Sequence, residues 1–490
     1  MARQTGRRSF LKTAGIGSTG LLLGACTLTR RRRSPNIIFI LIDDLGWRDA
    51  GFMGSRYYRT PAIDRLAAEG MVFSDAYAAA PNCAPSRACL LSGQYTPRHG
   101  VYTVNSSERG RARDRRLVPT PNRTELDPAI VTIAEVLGEA GYRCASLGKW
   151  HLGTGPETGP LGQGFDVNVG GNERGHPASY FSPYSNPDLP DGPAGEYLTD
   201  RLNAEAVRFI EANAERPFFL YLTHYAVHTP LQAPEDLVAS CRERESDGGH
   251  RNPTYAAMIE RVDAGVDRIV KTLQELGLER ETVIIFFSDN GGHGRVTSMA
   301  PLRGSKGMLY EGGIRSPMIV HWPGVIATGT RCPEPVIMVD FYPTLCELAG
   351  VDPPAGQPCD GVSLIPLLRG ADRLASHPLF WHFPAYLEAY ADTGGPWRTT
   401  PAGAVRRGDF KLIEFFEDGR LELYNLREDI GETRNLAHDM PARRDELHAL
   451  MRQWRRDLSA PVPDEPNPLY QPAERPPGRN LNGSETRKRF

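Results

Sequence analysis

Four short, uninterrupted apolar runs constrain the fold of this 490-residue chain most strongly. They are rich in branched and aromatic residues, as are strands that are buried on both faces of a sheet. The runs are NIIFILID (36–43), CASLGK (144–149), FFLYLTH (218–224) and TVIIFFSD (282–289). Helix-like patterns lie between them, at residues 61–70, 128–141, 196–213 and 255–277. This alternation predicts an α/β fold with a large, mainly parallel central sheet and helices on both faces.

The charge of the chain narrows the range of partners. A formal net charge of -2 with 24% charged residues gives no reason to expect nucleic-acid binding. The length favours one large domain with an appendage, or two domains, around a well-buried core.

Residues 1–34 form a segment outside the predicted fold. GRRSFLK (6–12) and the mildly apolar stretch after it resemble a twin-arginine export signal. The apolar stretch is shorter than the roughly 20 residues of a spanning helix, so it indicates a signal rather than an anchor. LLLGAC also resembles a lipoprotein cleavage box, and either lipidation of Cys26 or plain cleavage fits it. We therefore expect export by the twin-arginine pathway to the periplasm, the cell envelope or the exterior. Contact with the membrane is expected only through the signal or an attached lipid. Arg30 to Arg33 are expected to form a solvated tether.

Polar residues follow each of the four predicted strands. They are Asp43-Asp44, Lys149-Trp150-His151, His224 with His228, and Asp289-Asn290. Because ligands bind beyond the carboxyl ends of parallel strands, we expect these side chains to share one site.

The acidic pairs among these residues predict a metal site. Asp43, Asp44, Asp289 and Asn290 offer oxygen donors, and no cysteine–histidine cluster has zinc spacing. Such a set favours Ca²⁺, with Mg²⁺ second. Alternatively, each pair merely ends its strand in a turn. Two such pairs at equivalent strand ends favour the metal site.

The segment PNCAPSRACLLSG (81–93) places a cysteine near this edge. Pro85 is suited to be the first residue of a helix that ends at Gly93. Cys83 would then lie at the positive end of that helix, where N–H groups favour an anion. An anion site beside a divalent cation is suited to a sulfate or phosphate group.

Five motifs resemble the blocks of the formylglycine-dependent sulfatases of the alkaline phosphatase superfamily, in the family's order. They are CAPSR (83–87), GKWHLG (148–153), HTPLQAP (228–234), SDNGG (288–292) and GSKGMLYEGGIRSP (304–317). The resemblance covers about residues 35–460 and extends to bacterial polysaccharide sulfatases. It implies an alkaline phosphatase-like fold and a sulfuric ester hydrolase.

The resemblance also assigns roles to residues. Cys83 would be oxidised to 3-oxoalanine (formylglycine) by a separate maturation enzyme. Asp43, Asp44, Asp289 and Asn290 would bind Ca²⁺ with the modified Cys83. The other roles are implied as follows: Arg87 and Lys149 hold the hydrated aldehyde, His228 and Lys306 bind the sulfate, His228 or Lys306 protonates the departing alcohol, and His151 accepts a proton.

Each of these side chains has a structural alternative when taken singly. His151 and His228 are typical of hydrogen-bonded structural residues, and Lys306 of a solvated surface charge. Their co-occurrence with the other motifs favours the catalytic reading. His224, His293 and Arg303 have less support and are predicted only as neighbours of the pocket.

A second domain is indicated after about residue 370 by the strand-like segments PLFWHF, AVRRGDFKLIEFF and LELYNL, and it resembles the small sheet with a packed helix that closes sulfatases. A catalytic domain is predicted over 35–369, and a small antiparallel sheet with a packed helix near 441–458 over 370–460. The proline-rich tail, 461–490, is predicted to be extended over the surface or loose. A disulfide between Cys332 and Cys359 is left open, because sparse cysteines do not define a framework.

The substrate is predicted from weaker likenesses. Segments 164–187 and 195–202 resemble sulfatases that act on galactose or N-acetylgalactosamine saccharides, and the loop at 172–184 is predicted to set specificity. The arginine-rich loop at 109–116 fits either a polyanionic ligand or a solvated insertion. Alternatives are a broad arylsulfatase, a phosphonate or phosphate ester hydrolase, and a glycan-binding lipoprotein without catalysis. A complete catalytic set disfavours the last.

Overall fold

A computed structural model places the four predicted strands side by side in one sheet. It describes residues 34–375, 377–390 and 395–472. The predicted export signal, with Cys26 and the tether at 30–33, and the tail beyond residue 472 lie outside the described residues. Among the described residues, no helix has both the length and the apolar composition that crossing a membrane requires.

The first ten strands precede residue 340. They are β1 (Asn36–Ile42), β2 (Met71–Phe73), β3 (Ala76–Tyr77), β4 (Arg143–Gly148), β5 (Val167–Val169), β6 (Phe218–Thr223), β7 (Thr282–Ser288), β8 (Met318–His321), β9 (Thr330–Cys332) and β10 (Val336–Ile337). The later strands are β11 (Leu379–Phe383), β12 (Leu387–Glu388), β13 (Trp397–Thr399), β14 (Ala402–Arg407), β15 (Phe410–Phe415) and β16 (Arg420–Asn425).

Twelve α-helices accompany these strands in the described residues. They are α1 (Pro61–Glu69), α2 (Cys83–Ser92), α3 (Thr96–His99), α4 (Ile133–Glu139), α5 (Gly155–Thr158), α6 (Leu198–Ala212), α7 (Glu235–Arg242), α8 (Pro253–Glu275), α9 (Glu311–Ile314), α10 (Phe341–Ala349), α11 (Ile365–Leu368) and α12 (Pro441–Asp457).

The large sheet is mixed but mostly parallel, which confirms the predicted fold class. Within the described residues it has eight strands in the order β5-β4-β6-β1-β7-β8-β2-β9. Only β8 runs antiparallel to its neighbours, β7 and β2. In the centre of the sheet, Ile38 of β1 lies opposite Leu220 of β6 and Ile284 of β7.

Strand β1 shows why its sequence is apolar without alternation. Ile37, Phe39 and Leu41 belong to one buried cluster, which includes residues of α2, α4 and α10. Ile38, Ile40 and Ile42 belong to a second buried cluster with residues of α1, α6 and α8. Both faces of the strand are therefore covered by helices, as the continuous apolar run predicts.

Two helix boundaries differ from the predictions. Helix α2 begins at Cys83 rather than at Pro85, so the proline is the third helical residue, where its missing N–H costs no intrahelical bond. Helix α4 begins at Ile133 rather than at residue 128. Thr132 caps it, because its side chain accepts from Glu135 N while the Glu135 carboxylate accepts from Thr132 N.

The C-terminal part forms a second, smaller sheet, as predicted. Strands β11, β14, β15 and β16 are antiparallel in that order. Helix α12 packs against β14 and β15 and buries Leu447 and Met451. The domain limits at residues 34, 369 and 460 stay a prediction.

The described part of the tail lies along the arginine-rich loop. Val118 N donates to Glu465 O, Asn467 N to Arg116 O, and Gln471 N to Arg113 O. The seven cysteines of the described residues are all free thiols. Cys332 and Cys359 therefore do not form the disulfide that the sequence left open.

Candidate active site

The ends of β1 and β7 bring the two acidic pairs together. These strands are parallel neighbours, and Ile42 pairs with Ser288 in the last step of their register. Asp43 and Asp44 therefore lie beside Asp289 and Asn290, all at most 1% exposed. Asp44 N lies 3.3 Å from Asp289 Oδ1, and Asn290 Nδ2 donates to Asp44 Oδ1 at 2.8 Å.

Helix α2 directs Cys83 at this cluster. Its Sγ lies 3.5 Å from Asp43 Oδ1, and every residue of the helix is buried. The approach to the helix is fixed by Ser86, whose Oγ accepts from Ala80 N and donates to Ala80 O. Burial and the charge of Asp43 raise the pKa of the Cys83 thiol to about 12. The unmodified side chain is therefore a neutral thiol near neutral pH, and a weak nucleophile.

Each of the three carboxylates has a cationic partner. Lys149 Nζ lies 2.6 Å from Asp43 Oδ2, and Lys306 Nζ lies 2.7 Å from Asp44 Oδ1. Arg87 donates from Nε and Nη2 to Asp289 Oδ2, at 3.0 and 2.8 Å. The three negative charges of these side chains are therefore balanced by three positive charges of the protein itself.

These ion pairs and the burial of the cluster shift the pKa values of its side chains. Burial and the neighbouring charge of Asp43 raise the pKa of Asp289 to about 6. Burial alone would also raise the pKa of Asp44, but the charge of Lys306 and its hydrogen bond to the carboxylate hold that pKa below the usual range. Burial opposes ionisation of Lys306 too, yet the adjacent Asp44 keeps the pKa of that lysine above its usual value.

His228 presents one nitrogen to the cluster. Its Nδ1 lies 2.7 Å from the backbone oxygen of Thr229, so this nitrogen is the donor, and Nε2 lies 3.7 Å from Asp44 Oδ2. Burial and the charge of Lys306 lower the pKa of His228 to about 3, so the ring is neutral without a ligand. The ring of His176 stacks parallel to it, with centroids 6.2 Å apart.

His151 is held by its backbone in an unusual conformation. Its φ of 65° lies in the left-handed region, and its N–H donates to Asn172 O at 2.8 Å. Burial and the charges of Lys149 and Arg87 keep the pKa of His151 well below its usual value. Among the described residues its Nδ1 is buried and has no hydrogen-bond partner. A neutral imidazole of this kind can accept a proton.

These groups open into one cavity of about 640 Å³. Cys83, His151, His228 and Lys306 line it, and His176 from the predicted specificity loop lines its wall. The remaining predicted site residues, Arg87, Lys149 and the acidic pairs, are buried against these four. The structure thus brings together all of the predicted catalytic and metal-binding residues.

The acidic cluster also fits a divalent cation. Ligand atoms of Asp43, Asp44, Cys83 and His228 all lie within 4.8 Å of one another. Among the described residues Asn290 Oδ1 is buried without a hydrogen-bond partner. Because buried polar atoms are normally paired, this oxygen is free to bind a metal ion. The oxygen donors of Asp43 and Asp44, with those of the adjacent Asp289 and Asn290, suit Ca²⁺ or Mg²⁺.

Some predicted neighbours of the pocket lie elsewhere. Arg303 donates to Tyr424 Oη and to Glu432 O, so it connects the loop after β7 to the small C-terminal sheet. His224 is buried and does not line the cavity. His293 does not line it either and packs on the ring of Tyr390. Arg398 was missed, although it lines the cavity, because it comes from β13, far along the chain from every motif.

Comparisons with known proteins agree with this geometry. The sulfatase family model matches residues 35–351, and the model of the C-terminal region of N-sulphoglucosamine sulphohydrolase matches residues 305–458. A sulfatase of Formosa agariphila is 33% identical, over 91% of this chain and 93% of its own length. An N-acetylgalactosamine-6-sulfatase of Canis lupus familiaris is 33% identical, over 78% of this chain and 73% of its own.

A solved structure shares the architecture as well. The crystal structure of Ps i-CgsB in complex with a neocarrahexaose superposes with a TM-score of 0.75 at 30% identity, covering 88% of this chain and 95% of that one. Because the sulfatase model spans well over half of the chain, and relatives a third identical cover most of it, the chain belongs to the sulfatase family of sulfuric ester hydrolases.

Proposed function

We propose that this sulfatase removes sulfate from a saccharide of the galactose or N-acetylgalactosamine type, with a formylglycine derived from Cys83 as its nucleophile. The observation that carries the proposal is the position of Cys83. It lies at the start of α2, 3.5 Å from Asp43, in a cavity that it shares with His228 and Lys306. The names of the relatives, an N-acetylgalactosamine-6-sulfatase and a protein crystallised with a neocarrahexaose, support the sugar class.

The oxidised form of Cys83 supplies what the thiol lacks. A hydrated aldehyde carries two hydroxyl groups, one to attack sulfur and a second whose deprotonation releases sulfate. The motif CAPSR at 83–87 supports recognition by a formylglycine-generating maturation enzyme. Arg87 and Lys149 would hold this side chain in one orientation, since each is itself fixed by a buried carboxylate.

Asp43, Asp44, Asp289 and Asn290 would hold Ca²⁺ beside residue 83, with Mg²⁺ as the second choice. A bound cation would act as a Lewis acid, stabilising negative charge on the nucleophile and on the sulfate. Because the protein charges of the cluster already cancel, a divalent cation leaves the site positive. A positive site favours an anionic ester over a neutral one.

The remaining residues would bind the sulfate and move protons. Lys306, at the wall of the cavity, would pair with a sulfate oxygen. His228 could deliver a proton from Nε2 to the leaving oxygen once it is charged, and the Thr229 carbonyl on Nδ1 stabilises that charged form. His151 would accept a proton at Nδ1, which has no hydrogen-bond partner in the described part of the chain.

A side-by-side assay of sulfate and phosphate release tests the proposal. The enzyme, produced with a maturation enzyme, is given an aryl sulfate, the matching aryl phosphate and phosphonate, and a panel of sulfated galactose-type saccharides. We expect sulfate release to dominate and saccharides to be better substrates than the aryl ester. Dominant phosphate or phosphonate release would reassign the reaction, and preference for the aryl ester would indicate a broad arylsulfatase.

The nucleophile is tested separately by variants of two cysteines of α2. Cys83→Ala should be inert, and peptide mass spectrometry of active wild-type enzyme should show loss of the Cys83 thiol. Cys89→Ala is the matched control, because Cys89 is buried in the same helix but does not line the cavity. Full activity with an unmodified thiol at residue 83 would refute the formylglycine.

Export by the twin-arginine machinery is part of the same proposal. It is supported by Arg7 and Arg8 of the GRRSFLK segment. Replacing both with lysine should retain the protein in the cytoplasm, while Cys26→Ala should alter only lipid attachment. An unchanged periplasmic or envelope location of the lysine variant would contradict this route.

A further inference from the structure

The catalytic cavity carries more positive charge than the proposed reaction uses. Beyond Lys306, three arginines line it: Arg109, Arg174 and Arg398. Its lining contains one carboxylate outside the metal cluster, that of Glu173. A single sulfate bound at Lys306 would not account for these three arginines.

Arg109 has its partner within the protein. Its guanidinium faces Glu388, with Nε 3.0 Å from both carboxylate oxygens and Nη2 2.9 Å from Oε2. Gly110 N donates to the same carboxylate at 3.1 Å. Glu388 therefore neutralises the charge of Arg109, and this pair adds no net charge to the cavity wall.

Arg398 has no such carboxylate among the described residues. Its guanidinium carbon lies 4.5 Å from the centroid of the Tyr390 ring, and its Nε is buried without a hydrogen-bond partner in the described part of the chain. Stacking on an aromatic ring fixes the plane of a guanidinium but satisfies none of its N–H donors. A partly buried guanidinium with unused donors is costly unless a ligand completes it.

The backbone beneath Arg398 is firmly placed. It is the middle residue of β13, which pairs with β12 through Thr399 and Trp397. Trp397 Nε1 also donates to Asp114 O at 2.9 Å, which anchors the strand to the arginine-rich loop. The side chain passes close to Gly307, where a Cβ would lie 3.0 Å from Arg398 Nε. The guanidinium is thus held at the cavity wall beside the turn that carries Lys306.

Arg174 approaches the same cavity from the predicted specificity loop. Its Nη1 donates to Ser185 O at 2.6 Å, and its backbone N donates to Asn172 Oδ1 at 3.0 Å. It forms no ion pair with a carboxylate of the described residues. Two guanidinium groups with no carboxylate partner in the described part of the chain therefore line the same cavity as Cys83.

We propose that the saccharide bound here carries a second anionic substituent besides the sulfate that is removed, and that Arg398, with Arg174, binds it. This inference rests on the proposed function and narrows its substrate class to saccharides with two or more anionic groups. The substituent is a sulfate ester or a carboxylate, because the planar guanidinium fork binds either oxyanion with two parallel hydrogen bonds.

The kinetic test compares matched saccharides that differ only in the second group. The set holds one sulfate, two sulfates, or one sulfate with a uronic carboxylate. For wild-type enzyme we expect kcat/KM to be about 10- to 100-fold higher for at least one doubly anionic member, the size of one or two charged hydrogen bonds. The better doubly anionic member identifies the substituent.

Variants of Arg398 test whether this residue causes the preference for doubly anionic saccharides. Arg398→Gln should remove most of that preference by raising KM, and Arg398→Lys should restore part of it, because the charge remains without the fork. Arg295→Gln is the matched control: an exposed arginine nearby that does not line the cavity, and it should leave the preference unchanged. An equal loss on singly and doubly anionic saccharides would overturn the inference, since Arg398 would then act on the sulfate that is removed.

Direct binding gives a measurement that does not depend on turnover. In Cys83→Ala enzyme with Ca²⁺, the intact disulfated saccharide should bind more weakly by about 10-fold or more when Arg398→Gln is added. Unchanged affinity would overturn the inference. If wild-type enzyme releases no sulfate even from the aryl ester, the proposed function itself fails; if it does so but shows no preference for a second anion, only this inference fails.

Discussion

Lys149 Nζ lies 2.6 Å from Asp43 Oδ2, and both side chains are completely buried. The lysine therefore lies beside a carboxylate that we propose binds the metal, and it would compete with a cation for the charge of that carboxylate. Lys149→Met should strengthen Ca²⁺ binding, by about tenfold or more, while abolishing turnover, because a positive charge next to the ion disappears. Calorimetric titration of chelator-treated protein measures the affinity.

The control for this variant is Lys271→Met. Lys271 pairs with Asp267 on the surface and is remote from the acidic pairs, so it should change neither quantity. Weaker Ca²⁺ binding by Lys149→Met would show that the lysine organises the metal site rather than opposing the ion.

Metal removal should inactivate the enzyme without unfolding it. The three carboxylates of the cluster keep three cationic partners, Lys149, Lys306 and Arg87, so no charge is left unpaired in the core. We expect chelation to abolish sulfate release and to lower Tm by only a few degrees. Ca²⁺ should restore activity best, Mg²⁺ second and Zn²⁺ least. Restoration by Zn²⁺ above that by Ca²⁺ would contradict the choice of ion.

The His151 ring packs so closely against Gly175 that residue 175 has no room for a side chain. A Cβ at residue 175 would lie 2.5 Å from Cε1 and 2.7 Å from Nε2 of His151. Gly175→Ala should therefore displace the imidazole and lower kcat by at least about tenfold, with little change in Tm. Gly138→Ala is the control, because its Cβ would meet nothing closer than 4.0 Å. That variant should keep full activity and gain about 0.5–1 kcal/mol in the free energy of unfolding; normal turnover in Gly175→Ala would dismiss His151 as a positioned base.

Asp263 links stability to pH away from the active site. Its Oδ1 accepts from Ala62 N and Ile63 N at the start of α1, and burial raises its pKa to about 6. Between the unfolded value near 4 and this value, the folded state keeps a proton that the unfolded state has released. The contribution of Asp263 to stability therefore falls as pH rises from about 4 to 6, and stays low above that.

Urea unfolding of Asp263→Asn at pH 4.5 and pH 7 measures this effect. Relative to wild type, the variant should gain on the order of 2 kcal/mol between these pH values, because the amide keeps an acceptor without ionising. Asp267→Asn, one helical turn along α8, is the control and should change little relative to wild type between these pH values. Its ion pairs with Lys271 and Arg65 lower the pKa of Asp267, so wild-type stability from this group is lost only as pH falls below about 4. A pH-independent difference for Asp263→Asn would refute the raised pKa.

Local pattern predicted the parts of the structure that depend on neighbours in sequence. The apolar run at 36–43 became β1 with both faces covered, because a strand flanked by two helical layers admits no polar side chain. The motif at 83–87 indicated the start of a helix, and Gly93 its end in the left-handed conformation. The small C-terminal sheet was predicted from its strand-like segments.

The sequence by itself therefore determined the strands, the fold class and the residue types of the site, since these follow from burial and from short motifs. Only the tertiary structure decided which charges meet: Asn290 bonds to Asp44 across 246 positions of the chain because β1 and β7 are neighbours. It also decided that β8 runs antiparallel and that Arg398 reaches the cavity. Contacts of this kind depend on strand order and on the packing of distant segments, and no local pattern encodes the distance between two side chains far apart in the chain.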